Sequence, residues 1–186
     1  MKYTWDNISL ENYAAIDALN RGGAKDETMR AVSLLSLASG KPESHFEAMD
    51  FVTLFKEMSD LTAFLEKPIQ EKLTPVFYCG SRRFKLTCLT EEEIRGKHVE
   101  AISLLKITPE NIAENAPKIM AAITEEVFTF RKKLSFDQKT KLFAEKLPAS
   151  IGMGVVLFFW AVSNELLPAI LSYSQKEVQS LLNKQK

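Results

Sequence analysis

The chain has 186 residues, 46% of them apolar, and sets 24 Lys and Arg against 24 Asp and Glu. That length supports a substantial core, and 12 Phe beside only seven Gly and seven Pro exclude a disordered tail or a collagen-like chain. A net charge of zero excludes a protein whose whole surface grips nucleic acid or an anionic membrane.

In chain order, most apolar spacing is helical. Ser9 or Asn7 is positioned to cap a first helix with Tyr13, Ile16 and Leu19 on one stripe, ended by Gly22-Gly23. A second helix starts at about Asp26, carries Met29, Val32 and Leu35, and stops at Gly40. Pro42 falls where the first turn of a short third helix tolerates proline. Asp50 reads as the N-cap of the clearest stripe in this half, Phe51, Leu54, Phe55, Met58, Leu61 and Leu65, and its spacing predicts ordinary core packing.

The pattern changes at Pro75. Val76 to Cys79, then Gly80-Ser81, then Arg82 to Leu89 predict a β-hairpin with a two-residue turn. Pairing Cys79 with Arg82 sets Phe77 against Phe84 and Pro75 against Leu86. Phe77, Phe84, Leu86 and Cys88 then face inward, and Val76, Tyr78, Arg83, Lys85 and Thr87 outward. Two strands alone are unstable, so the hairpin must lie on helices or gain a strand, either from Tyr3–Trp5 or from another subunit. The outward Val76, Tyr78, Arg83 and Lys85 need a cover, which makes them candidate partner-binding residues.

Thr90-Glu91-Glu92-Glu93 is a capping box for a helix bearing Ile94, His98, Ala101, Ile102 and Leu105. Thr108-Pro109 is expected to open another, with Ile112, Ala116, Ile119, Met120 and Ile123, and Pro117 to split it near Asn115. Asp137 is expected to start a short helix with Leu142, Phe143 and Leu147. Pro148 then opens an apolar helix over about 148–171, read as central and buried, in which Gly152 and Gly154 admit close backbone approach. Ser174 reads as the cap of a terminal polar helix. The expected fold is mainly α: a multi-helix bundle with one hairpin at about 75–89. It forms one domain over 1–186 or two helical lobes, 1–66 and 90–186, joined by the hairpin.

No catalytic constellation emerges. His45 and His98 lack a second ligand at helical spacing, and nothing local activates Cys79 or Cys88. Gly22-Gly23 lacks the Lys-Ser/Thr of a phosphate loop, and the dipole of the following helix accounts for Glu91 to Glu93. No enzyme, cofactor or metal is expected. The apolar run from Ile151 to Val162 is far short of the roughly 20 residues of a membrane span. The opening Met1-Lys2-Tyr3-Thr4-Trp5-Asp6 lacks a leader pattern, and two cysteines suggest a reducing compartment, so a cytoplasmic setting is expected. Two basic clusters, Arg82/Arg83/Lys85 and Arg131/Lys132/Lys133, interleave with Phe and raise a nucleic-acid reading; charge guarding a strand edge is the simpler one.

Four segments carry a resemblance: Thr4-Trp5-Asp6-Asn7-Ile8-Ser9-Leu10-Glu11-Asn12-Tyr13, Cys79-Gly80-Ser81-Arg82-Arg83-Phe84, Asn111-Ile112 through Ile119-Met120-Ala121-Ala122, and Phe143 to Pro148 leading into Leu157-Phe158-Phe159-Trp160. In this order the chain resembles small phage proteins of tail-assembly-chaperone type, found among phages and prophages of Bacteroides-like hosts. The polar stretch Glu91 to Glu100 departs from that group, in which a Tyr-containing segment follows the hairpin, and no functional residue is carried over. The resemblance implies a non-enzymatic, self-associating assembly protein that binds a tape-measure or other tail protein in the host cytoplasm. The alternatives are a permanent virion part (neck, ring or tail component) and a nucleic-acid-binding module built on the two basic clusters.

Overall fold

The computed structural model describes residues 3–22, 26–87, 107–127 and 132–161. Within them the protein is mostly helical, with one small antiparallel sheet, and no described helix is long and apolar enough to cross a membrane. Cys88, the stretch with His98, Arg131, residues 162–171 of the apolar helix and the terminal segment from Ser174 lie outside the described residues.

Helix α1 (Leu10–Arg21) is capped by Ser9, whose hydroxyl accepts the Asn12 N–H at 3.2 Å. Asp26 caps α2 (Glu27–Ser39) by accepting from Thr28 and Met29, and Gly40 ends it at φ 69°, a conformation that glycine adopts without a Cβ clash. Pro42 is the N-cap of the short α3 (Glu43–Glu47), one place earlier than expected. Asp50 caps α4 (Phe51–Leu65) through the Thr53 N–H and hydroxyl.

The hairpin has the expected register. Strands β1 (Val76–Cys79) and β2 (Arg82–Leu86) pair Phe77 with Phe84 and Cys79 with Arg82, and the Leu86 N–H donates to the Pro75 carbonyl at 2.9 Å. Gly80 makes the turn at φ 58°. The third strand comes from neither Tyr3–Trp5 nor another subunit. It is β3 (Thr124–Glu126), antiparallel to β2, with Lys85 beside Glu125 and Phe84 beside Glu126.

Helix α5 (Ile112–Ala122) begins three residues after Pro109, because Thr108 to Asn111 form a turn in which the Asn111 side chain accepts the Thr108 N–H at 2.8 Å. Pro117 does not split it but lies inside it, buried. A proline there removes one backbone hydrogen bond and costs about 3 kcal/mol. Packing offsets that loss: Ile112, Ala116, Ile119 and Met120 are buried as α5 lies against α1 and α6. Helix α6 (Phe136–Lys146) starts one residue before Asp137, with Ser135 and Gln138 forming a capping box. Residues 149–161 are helical, and 152–156 and Phe159 within them are buried.

The apolar interior forms two clusters. In one, Phe77, Phe84 and Phe143 pack together, with ring centroids 4.8–6.0 Å apart, beneath α5 and the helix at 149–161. In the other, Ile8, Ile16, Val32, Leu35, Phe46, Leu61 and Phe64 join α1, α2, α3 and α4. Tyr13 touches both. The N-terminal segment ties them further: the Leu10 N–H donates to the Leu147 carbonyl, Ala149 to Ile8 and Ser150 to Trp5. Both glycines of the 149–161 helix sit at close approaches, Gly152 against the Leu10 side chain and Gly154 against the backbone at 70–72.

Candidate functional site

The most unusual surface is on α4. Its inward side is fixed: Leu61 and Phe64 are buried, the Trp5 ring lies 4.4 Å from that of Phe64, and the Tyr3 hydroxyl donates to Glu57 at 2.9 Å. The apolar arc of this helix is wider than the neighbours that cover it. Leu54, Met58 and Leu65 are half-buried at the margin, whereas Phe51 and Val52 are each 77% exposed and Phe55 is 68% exposed. The stripe read as core is therefore core only along one edge. Phe51 and Phe55, one turn apart, stack with centroids 6.4 Å apart.

Met29 of α2, read on one stripe with Val32 and Leu35, is 67% exposed and extends this apolar strip across the α2–α4 boundary. Two clefts run along that boundary. One of about 350 Å³ has Met29, Val32, Phe46, Phe51 and Leu54 among its walls; the other, of about 510 Å³, has Ala31, Leu34, Phe55, Met58 and Leu65. Large apolar side chains cost about 1.5–3 kcal/mol each when left in water rather than buried. Four side by side define a surface suited to contact with another macromolecule.

Of the residues expected at a partner face, Val76 (42% exposed) and Tyr78 (67% exposed) do stand on the outer face of the sheet, with Arg83 and Lys85 exposed beside them. Arg82 lies on the other, inner side of the sheet, paired with Cys79. Arg82 binds Glu126, whose side chain is only 4% exposed, and its guanidinium reaches the Lys132 carbonyl at 3.4 Å. Lys85 lies 3.4 Å from Glu125. On the outer face Lys85 and Glu125 thus set opposite charges side by side, while Arg82 and Glu126 pair on the inner side.

Among the described residues, Lys139 and Cys79 are polar groups packed into the fold. Lys139 donates to the Ala121 and Thr124 carbonyls at 2.6 and 2.8 Å, and burial holds its ammonium below the usual lysine range, partly opposed by Glu125 and Glu126. Burial pushes the Cys79 thiol up to about 11, with nearby Lys146 acting weakly the other way, so it is protonated at neutral pH. His45 is exposed, its Nε2 3.0 Å from the Lys41 ammonium. Among the described residues no three His, Cys, Asp or Glu side chains gather closely enough to hold a metal ion.

No protein family, curated protein or solved structure matches this chain. The strip formed by Met29, Phe51, Val52 and Phe55 was missed by periodicity, which reports that a helix has an apolar arc but not how much of it is covered. One signal was present: Phe51-Val52 and Leu54-Phe55 are adjacent apolar pairs, which widen the arc beyond a single packed stripe.

Proposed function

We propose that this protein is a non-enzymatic assembly factor of the phage tail-assembly-chaperone type, which engages a tape-measure or other tail protein through exposed apolar surface. The observation that carries this reading is the exposed strip of Met29, Phe51, Val52 and Phe55, a surface that suits reversible apolar contact. The resemblance in four ordered segments supplies the setting. Glu125 beside Lys85 on the outer face counts against the nucleic-acid reading, because a phosphate backbone would meet a carboxylate there.

Co-expression with the tail proteins tests it. The wild-type chain should raise the soluble fraction of one of them and co-purify with it, and a Phe51→Asp/Phe55→Asp variant should lose both effects. No complex and no change in solubility with any tail protein would sink the reading. Mass spectrometry of finished particles should find the chain absent; many copies per particle would make it a permanent tail part instead.

A further inference from the structure

The two edges of the sheet differ. Along β2 the backbone bonds alternate: Leu86 donates to Pro75 on the β1 side, whereas Thr87 donates to Ile123 and Arg83 accepts from Val127 on the β3 side. Phe77 and Cys79 therefore direct their N–H and C=O groups at β2, and those of Val76 and Tyr78 point away from the sheet. Among the described residues no group bonds to them on that side. The β3 edge is guarded. That strand is three residues long with two glutamates, and its outward Thr124 carbonyl accepts from the Lys139 ammonium at 2.8 Å. Val76 to Cys79 carries no charge, no proline and no bulge.

We propose that the open edge of β1 pairs with β1 of a second copy, antiparallel about a two-fold axis through Phe77, so that two three-stranded sheets join into one of six. The register follows from the backbone. With Val76 opposite Tyr78 of the second copy, and Tyr78 opposite its Val76, the outward N–H and C=O groups of both residues in both chains form four hydrogen bonds. Phe77 meets its own copy at the unbonded position between them. Strand alternation keeps residues 76 and 78 of both chains on the outer face, so each seam pair sets an aromatic side chain against a β-branched one, a favourable cross-strand pair.

A second copy fits this edge better than a foreign strand. A foreign strand needs an aromatic opposite Val76 and a β-branched residue opposite Tyr78, and β1 inverted presents that order. The two-fold pairing also uses the open edge of both chains and leaves only the guarded β3 edges outside, so assembly closes at two copies. Charge permits it. Arg83 and Lys85 sit one strand back from the seam, three strand spacings from those of the other copy. At about 4.8 Å per strand that is about 14 Å, beyond the ~10 Å screening length of 0.1 M salt. The α4 strip takes no part and stays free for a tail protein.

The test combines light scattering with amide hydrogen exchange followed by NMR on the full-length chain. Wild type should dimerise reversibly at sub-millimolar concentration. The Val76 and Tyr78 amides should be protected in the dimer and exchange fast on dilution, while Phe77 and Cys79, bonded to β2, stay protected throughout. The Val76→Glu/Tyr78→Glu variant sets each new carboxylate opposite Lys85 or Arg83 of its own hairpin, so its circular dichroism and Tm should hold. Against a second copy Glu would meet Glu twice, and dimerisation should weaken by roughly 10- to 100-fold. A wild type monomeric at millimolar concentration, a dimer in which the Val76 and Tyr78 amides exchange freely, or a double variant that pairs as wild type does would each overturn the proposal. So would protection of those two amides only on binding a tail protein, which would give the edge to that partner. The double variant keeps the α4 strip, so its effect on tail-protein solubility tests the assembly role separately.

Discussion

Adding one methyl group at Gly152 tests how tightly the N-terminal segment is clamped against the helix at 149–161. A Cβ there would stand 2.6, 2.7 and 2.8 Å from Leu10 Cδ2, Cδ1 and Cγ. Carbon atoms pack comfortably at about 3.5–4.0 Å, so Leu10 would have to retreat by about 1 Å. It has little room to do so: Leu10 is fully buried, and its N–H is bonded to the Leu147 carbonyl at 3.1 Å. Overpacking of this kind costs about 1–3 kcal/mol, while Gly to Ala in a helix returns about 1 kcal/mol. Gly152→Ala should therefore destabilise by up to about 2 kcal/mol, a Tm fall of up to about 8 °C for a chain of this size. Leu10→Ala alone should cost about 2–5 kcal/mol through its cavity. In the double variant the new methyl group occupies part of that cavity, so the two losses should fall short of adding, by about 1–2 kcal/mol. Urea unfolding of wild type, both single variants and the double variant measures the cycle. A Gly152→Ala variant more stable than wild type, or losses that simply add, would refute the clamp.

Three other outcomes are expected. Glu126→Ala leaves the Arg82 guanidinium without its buried partner and should cost about 3–5 kcal/mol in urea unfolding, with Glu126→Gln losing less. Gly80→Ala should cost about 1 kcal/mol from backbone strain alone, since at φ 58° its Cβ would meet nothing closer than Leu142 Cδ1 at 3.8 Å. Cys79, mapped by mass spectrometry, should resist alkylation at pH 8 until the chain unfolds. Its folded pKa of about 11 lies above the ordinary 9.0, so the unfolded chain loses the proton first. Stability should therefore fall as pH rises from about 9 to about 11, and more steeply in wild type than in Cys79→Ala; equal slopes would contradict the shift.

Legibility followed the range of the interactions concerned. The hairpin register could be read residue by residue, because a glycine turn and strict alternation are local and fix pairing together. The caps at Ser9, Asp26 and Asp50 were equally local. The third strand was not legible: Thr124-Glu125-Glu126 has no apolar alternation, and it pairs with β2 through ladder bonds and the Arg82–Glu126 contact across more than 40 residues. Pro117 misled because local propensity was overruled by burial on two sides. On the candidate site, the outward set of Val76, Tyr78, Arg83 and Lys85 was placed on the correct face of the hairpin. The wider apolar strip on α4 lay hidden among residues that spacing assigned to the interior.

The stitching of the N-terminal segment to the α6 end has a kinetic consequence. Ser150 donates to Asp6 at 2.5 Å across 144 residues, beside the backbone bonds that join Trp5, Ile8 and Leu10 to residues 147–150. Contacts of such separation require the closure of a very long loop, and they slow folding relative to a bundle of neighbouring helices. A ribosome therefore releases the segment at Trp5–Ser9 long before its docking site at residues 147–150 exists. Docking of Trp5 to Leu10 therefore cannot precede the synthesis of residues 147–150.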